Sequence, residues 1–320
     1  MYKFATAIGI DVGRTGINYG IVRKDGAVLW RNRIRYSRQR NKTAVLRKLY
    51  DVVDDVLAYA TEHEINPLCI GIGSPGFVDM KNGFVRGSAL LIRDWRDIPL
   101  AKLVYEKAGL PVFVDNDATL YGYAEWMFGA ARDVDDMIFI ALRTGIGGAI
   151  LINRKLYRGE NNASGEFGQM TINFSGPRSK WGGKGCLESY ASSQAFVERY
   201  NRRVKREGEE AKTVTTALPV FERFHAGETA AVEAVKENAR FVGIGLGNLV
   251  NIFAPQLIVI GGGMALAGEP YIQLIREAII DNSMSVCHEK LKVVAARLEH
   301  EAGFIGAGHF ALSMLDGKTP

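Results

Sequence analysis

Long apolar runs are missing from this chain: no stretch reaches the ~18 residues needed to cross a membrane, so no spanning segment is expected. The residues before the first apolar strand carry no cleavage pattern, and export is not expected either. Cysteine is scarce. The three present, Cys69, Cys186 and Cys287, are odd in number and far apart, which excludes a disulfide framework and a four-cysteine metal site and suits a reducing cytoplasm. Charge of one sign is lacking too: 40 basic residues against 35 acidic ones leave a net +5, too little and too dispersed for a nucleic-acid binder. The densest basic stretches, residues 31–40 and 202–206, read as solvated surface or as anion contacts.

What is present is apolar material for two cores: 320 residues at 47% apolar composition can fill two domains of about 150 residues each. Arg-Thr-Gly-Ile occurs twice, in DVGRTGINYGIV (from Asp11) and in LRTGIGGAILI (from Leu142), both times between β-branched runs. Around the first copy, Lys24-Asp25-Gly26 reads as a hairpin turn. Apolar residues at helical spacing follow over 43–63, with Thr43 as candidate N-cap. A strand LCIGIG then leads into SPGFVD, and a strand over 112–115 ends at Asn116-Asp117, before a helix over 118–130. The second copy restarts the programme with a strand over 137–142 and a returning hairpin whose turn is Asn153-Arg154-Lys155. A Gly-, Ser- and Asn-rich stretch over 161–185 is longer than most structureless connections, and such loops usually carry function. The apolar strand QLIVIGGG runs into Gly261, Gly262 and Gly263, and a last helix over 303–315 closes the chain. A duplicated fold leaves such a pattern. Turns that expose backbone N–H groups and lack bulky Cβ atoms can approach phosphate oxygens, with threonine adding a hydroxyl. Two such turns facing across a cleft would grip one nucleotide; each alone also reads as an ordinary hairpin.

Five segments in fixed order make the chain resemble the ROK family (repressors, open reading frames and sugar kinases) of the actin-like ATPase superfamily. They are DVGRTGINYGIV; GIGSPGFVD; VFVDNDATLYGYAEWMFGAAR; RTGIGGAILINRKLYRGENNASGEFGQM with GGKGCLES; and NLVNIFAPQLIVIGGG with AGFIGAG. The resemblance implies an α/β chain with a two-domain actin-like ATPase (ribonuclease H-like) fold, duplicated βββαβα-type domains and a central cleft. The first domain would cover 1–118, with a C-terminal helix of about 304–320 packing back on it, and the larger second domain 119–303. It implies transfer of the ATP γ-phosphoryl group to a sugar hydroxyl, with Asp117 as the base, or as a plain helix cap, and Asn116 and Gly76 at the sugar. Asp11 would help to hold Mg²⁺ near the phosphates, through water, as suits a hard oxygen ligand that leaves several waters on the metal. Gly13, Thr15, Thr144, Gly145 and Gly147 would line the phosphates, and Gly261, Gly262 and Gly263 the α-phosphate and ribose. Glu166 and Glu188 would bind sugar hydroxyls, the alternative being surface charge. A homodimer is implied, with the helix of Trp126 and Phe128 offering an apolar face.

The chain also departs from its relatives. Most members place a histidine after GExG and three cysteines in a CxCGxxGC loop as a zinc site; here stand Gln169 and KWGGKGC, with Cys186 the one remaining ligand, so no structural zinc is expected. That histidine also touches the sugar, so Gln169 should alter recognition, offering a donor and an acceptor without titrating near neutrality. Leu91, four residues before Trp95, stands where an asparagine is common. Arg14 and Arg143 replace small residues beside the phosphate turns and would contact phosphate or point to solvent. Beside the kinase stand two alternatives: a non-catalytic sugar-sensing regulator and a degenerate nucleotide binder. About seven residues precede the first strand, too few for a helix-turn-helix, and the retained Asp11, Asn116, Asp117, Glu166 and Glu188 argue against degeneracy.

Overall fold

The structure, a computed structural model, describes residues 4–36, 41–87 and 92–320. Its strands are β1 (Thr6–Val12), β2 (Gly16–Arg23), β3 (Val28–Arg35), β4 (Ile70–Ser74), β5 (Phe77–Asp79), β6 (Phe84–Gly87), β7 (Val112–Asn116), β8 (Met137–Leu142), β9 (Ile146–Ile152), β10 (Lys155–Leu156), β11 (Leu257–Gly261) and β12 (Lys292–Ala295). Its helices are α1 (Lys42–Glu62), α2 (Leu100–Ala108), α3 (Asp117–Phe128), α4 (Leu187–Ala191), α5 (Ser193–Arg206), α6 (Leu218–His225), α7 (Thr229–Phe253), α8 (Glu269–Asp281), α9 (Ser285–His288) and α10 (Ala302–Leu315). Two compact units share the chain: Met1–Arg132 with Lys155–Ser164 and His300–Pro320, and Asp133–Arg154 with Gly165–Glu299. Among the described residues no helix is long and apolar enough to cross a membrane.

In the first unit the sheet order is β3-β2-β1-β4-β7, antiparallel through β3, β2 and β1 and parallel through β1, β4 and β7. The β2–β3 turn closes where expected, with Arg23 N–H donating to the Ala27 carbonyl and Gly26 in the left-handed region. Side chains alternate across β1, so Ile8, Ile10 and Val12 pack with Val45, Leu49, Val52, Val53 and Val56 of α1. The opposite face has to be flat. A Cβ on Gly9 would lie 1.8 Å from the Phe304 carbonyl oxygen and one on Gly71 the same distance from that of Ala307, so α10 rests its backbone directly on β1 and β4. Helix α1 begins at Lys42, one residue before Thr43. Its cap is Asn41, whose side-chain oxygen accepts from Ala44 N–H at 2.9 Å, leaving Thr43 inside the first turn.

In the second unit β9, β8, β11 and β12 lie side by side, β9–β8 antiparallel and β8–β11–β12 parallel. The order β2-β1-β4-β7 is thereby repeated, which accounts for the twice-written turn. Asn153 and Arg154 both take left-handed φ, so that turn closes in two residues and Lys155 already begins β10. The core of this unit joins Ile138, Ile140 and Leu142 of β8 to Leu246, Leu249 and Val250 of α7.

Candidate active site

In the first unit, strand register gathers the candidates. Asp11 of β1 lies beside Gly73 of β4, and Gly73 beside Asp115 of β7, so the carboxyl ends of three parallel strands finish in one row. Gly13 to Thr15 follow β1, Pro75-Gly76 follow β4, and β7 ends at Asn116 with Asp117 next. Asp11 is buried; its Oδ2 accepts from Tyr121 Oη at 2.8 Å and Asn18 Nδ2 at 3.3 Å, while its Oδ1 is buried with no partner among the described residues. A hard oxygen left unsatisfied on a single carboxylate fits a Mg²⁺ ion that keeps most of its waters. Burial, and then the Asp11 charge, hold the Tyr36 phenol neutral well above its ordinary range. The first turn closes by Gly13 N–H to the Gly16 carbonyl at 3.0 Å, and the Thr15 hydroxyl accepts from Arg33 Nη2 at 3.0 Å.

Asn116, not Asp117, caps α3: its Oδ1 accepts from Thr119 N–H at 3.1 Å and its Nδ2 donates to the Gly76 carbonyl at 3.1 Å. Asp117 occupies the first helical position, half-buried. Behind them Asp115 is fully buried, its Oδ2 paired with Arg158 Nη1 at 2.7 Å and its Oδ1 accepting from Asn162 Nδ2 and Asn116 N–H, both at 2.8 Å. Asn161 and Asn162 take φ of 56° and 58°, an uncommon conformation that the Asn162 contacts hold in place.

The second unit gathers another set. Ile146 N–H, in the second Thr-Gly turn, donates to Glu188 Oε2 at 2.8 Å, and Gln169 Nε2 donates to Glu188 Oε1 at 3.4 Å. Gly262, at φ +88°, sits against Leu142 and Arg143; a Cβ there would lie 2.5 Å from the Leu142 carbonyl oxygen. The turn holding Thr144, Gly145 and Gly147 and the triplet Gly261, Gly262 and Gly263 are therefore neighbours. Glu166 is exposed at the start of the short turn carrying Gln169. Arg14 is exposed and Arg143 half-buried. Leu91, and Arg38 and Arg40 of the basic stretch, lie outside the described residues.

Sequence reasoning did not find Tyr121, Arg33, Arg158, Asn162 or Ser179. Tyr121, Arg158 and Asn162 lie inside the quoted segments, and Arg33 and Ser179 inside the basic and Gly-rich stretches, but nothing local to any of them shows which partner it meets. Hydrogen bonds tie the loop that follows Gln169: Ile172 N–H to the Gly185 carbonyl, Thr171 Oγ1 to that of Lys184, Asn173 Nδ2 to Tyr190 Oη, and Ser179 Oγ to Gln169 Oε1 at 2.8 Å. Among the described residues no three His, Cys, Asp or Glu side chains are grouped to hold a metal. Phe128 turns its ring onto Gly26 and His309 of its own unit.

The repeated strand order, with carboxylates and glycine turns at the strand ends, defines an α/β protein of the actin-like ATPase class. The chain belongs to the ROK family, whose profile matches residues 7–314. It is 31% identical over 306 residues to the xylose repressor of Caldicellulosiruptor bescii, covering 93% of this chain and 76% of that protein. It is 30% identical over 322 residues to the glucokinase of Thermotoga maritima, covering 97% and 98%. A ROK family glucokinase from Streptomyces griseus, solved in complex with glucose and AMPPNP, superimposes with a TM-score of 0.84 at 30% identity, over 97% of this chain and 100% of that one.

Proposed function

We propose that this protein is an ATP-dependent kinase transferring the γ-phosphoryl group to a hydroxyl, that on C6, of a hexose, an N-acetylhexosamine or a glycoside. The observation that carries the reading is the register row Asp11–Gly73–Asp115, which brings a carboxylate with a spare oxygen and, two residues past Asp115, a second carboxylate to one sheet edge. Phosphoryl transfer asks mainly for positioning and charge neutralisation, plus one base near the attacking hydroxyl. In this reading Asp117 accepts the sugar hydroxyl's proton as the oxygen–phosphorus bond forms and ADP departs. Asn116 gives its remaining N–H to the sugar, Gly76 packs beneath it, and Glu166, Gln169 and Glu188 bind further hydroxyls. Gly13, Thr15, Thr144, Gly145 and Gly147 line the phosphates; Gly261, Gly262 and Gly263 lie along the α-phosphate and ribose. Asp11 would hold Mg²⁺, directly or through water, and the ion neutralises phosphate charge when bound. The glucokinase solved with AMPPNP and glucose supports this donor and this class of acceptor. A cytoplasmic homodimer belongs to the same reading.

The test is ADP release against a panel of hexoses, N-acetylhexosamines and disaccharides. Asp117→Asn should keep sugar and nucleotide binding by calorimetry and lose about 10²–10⁴-fold in kcat, because an amide cannot take the proton. Turnover near that of the wild type refutes the assignment. Similarity to a xylose repressor favours a second reading, a sugar-sensing regulator without turnover. Binding of xylose or glucose with no ADP release for any sugar would establish it.

A further inference from the structure

We propose that Tyr121 is a positioning residue of the metal site: its hydroxyl holds one oxygen of Asp11 and leaves the other as the point at which a divalent cation meets the carboxylate, directly or through water. This role rests on the kinase reading above.

Asp11 is a buried carboxylate with an incomplete set of partners. Its Oδ2 takes Tyr121 Oη at 2.8 Å and Asn18 Nδ2 at 3.3 Å, which occupies both lone-pair directions of that oxygen. An ionised carboxylate only accepts, so the phenol donates in its bond. Oδ1 is buried as well and takes nothing, and among the described residues Asp11 has no ion pair. Buried carboxylates ordinarily have a cation or a metal beside them. Both donors here are neutral, so they fix the group without cancelling its charge, which is left for an ion at Oδ1. A lysine or arginine in the place of Tyr121 would orient the carboxylate equally well and repel that ion.

The other side of the carboxylate is closed by backbone. A Cβ on Gly303, in the first turn of α10, would lie 2.5 Å from Asp11 Cγ and 2.7 Å from Oδ2, so the group has no room to swing toward that helix. Removing the Tyr121 hydroxyl leaves Oδ2 with the longer Asn18 bond alone and frees the carboxylate to turn away from it. Tyr121 has a second consequence through its place in the chain. It stands four residues after Asp117, the first residue of α3, so the two share a helix face one turn apart. Helical side chains lean toward the N-terminus, so the bond to Asp11 ties the first turn of α3 to the end of β1. One hydroxyl thereby places the metal carboxylate and the base helix relative to each other within the first unit.

The experiment is calorimetry on the full-length protein with AMPPNP, in excess Mg²⁺ and again in EDTA. In the wild type Mg²⁺ should tighten binding. Tyr121→Phe removes only the hydroxyl and should weaken the Mg·AMPPNP complex about tenfold, as loss of a group that orients a metal ligand commonly does, while binding in EDTA stays as in the wild type. Asp11→Asn should weaken the same complex, and adding Tyr121→Phe to it should cost less than about twofold more, because the hydroxyl acts through that carboxylate. Tyr123→Phe is the control: its hydroxyl, two residues on in α3, meets His309 and Ser313 in the core, and Mg·AMPPNP affinity should not change. Asn18→Ala strips the other donor from Oδ2 and should give a smaller loss of the same metal-dependent kind, which tests the clamp even if Tyr121→Phe fails to fold in thermal denaturation. No loss in Tyr121→Phe, a loss equal in Mg²⁺ and EDTA, or a loss that persists in full on top of Asp11→Asn overturns the role of Tyr121 alone. A wild type whose AMPPNP affinity is the same in Mg²⁺ and in EDTA overturns the metal reading of Asp11, and this role with it.

Discussion

Removing the Arg158 guanidinium should expose how much the buried corner behind Asn116-Asp117 depends on charge pairing. Asp115 has no exposed surface, and its partner Arg158 is 13% exposed, with Nη1 2.7 Å from Oδ2. The same Nη1 reaches Asn162 Oδ1 at 2.9 Å, and the guanidinium lies 5.6 Å over the Phe310 ring. Arg158→Met keeps most of the packing and strands the carboxylate with two neutral donors, Asn162 and the Asn116 backbone. Breaking one side of a buried pair in this way costs about 3–5 kcal/mol, most of it the desolvation of the charge left behind. The double variant Asp115→Asn/Arg158→Met removes both charges, keeps an acceptor for Asn116 N–H, and should cost no more than about 1–2 kcal/mol, well below the sum of the single changes. Urea unfolding followed by tryptophan fluorescence measures the cycle, since Trp30, Trp95 and Trp126 all belong to the same unit as the pair. A loss below about 1 kcal/mol in Arg158→Met, or a double variant costing the full sum, would refute the reasoning.

Gly71→Ala should lower the unfolding free energy by about 1–3 kcal/mol or more, because its Cβ would fall 1.8 Å from the Ala307 carbonyl oxygen and α10 would have to lift from the sheet; thermal denaturation checks it. His309 is buried, which lowers its pKa to about 4, with Lys24 adding to the effect. The unfolded chain then takes up the proton first as pH falls from about 6.5, so stability declines between there and pH 4 by about 3 kcal/mol at most, and unfolding measured across that window should show the decline reduced in His309→Gln. On the kinase reading, Asp11→Asn should raise the half-saturating Mg²⁺ concentration for ADP release by about tenfold, with an unchanged Mg²⁺ titration as the contrary result. Burial pushes the Cys69 thiol up to about 12, so a thiol reagent at pH 8 should label half-buried Cys287 and spare Cys69 in the native protein; prompt labelling of Cys69 would contradict its burial.

Much of the fold was legible because its signals are local. The β2–β3 turn, the two hairpins with their repeated Arg-Thr-Gly-Ile, the strand ending at Asn116 and the closing helix each follow from β-branched runs, glycine turn chemistry or helical spacing within a few residues. The N-terminus of α1 was misread for the same reason. Thr43 and Asn41 are both good caps, and Asn41 takes the role through the bond to Ala44 N–H. Asp117 and Asn116 divided their parts similarly: both suit a helix start, and Asn116 takes the cap.

By itself the sequence determined the alternation of strands and helices, the duplication, and which carboxylates and glycines fall at strand ends, since spacing along the chain controls all of these. Tertiary structure alone decided which groups those residues meet. Tyr121 reaches Asp11 across 110 positions and Arg158 reaches Asp115 across 43, and no period or motif links such pairs. The physical reason is that a hydrogen bond or a buried ion pair depends on separations of about 3 Å in space, and chain separation constrains these only once the sheet register is set.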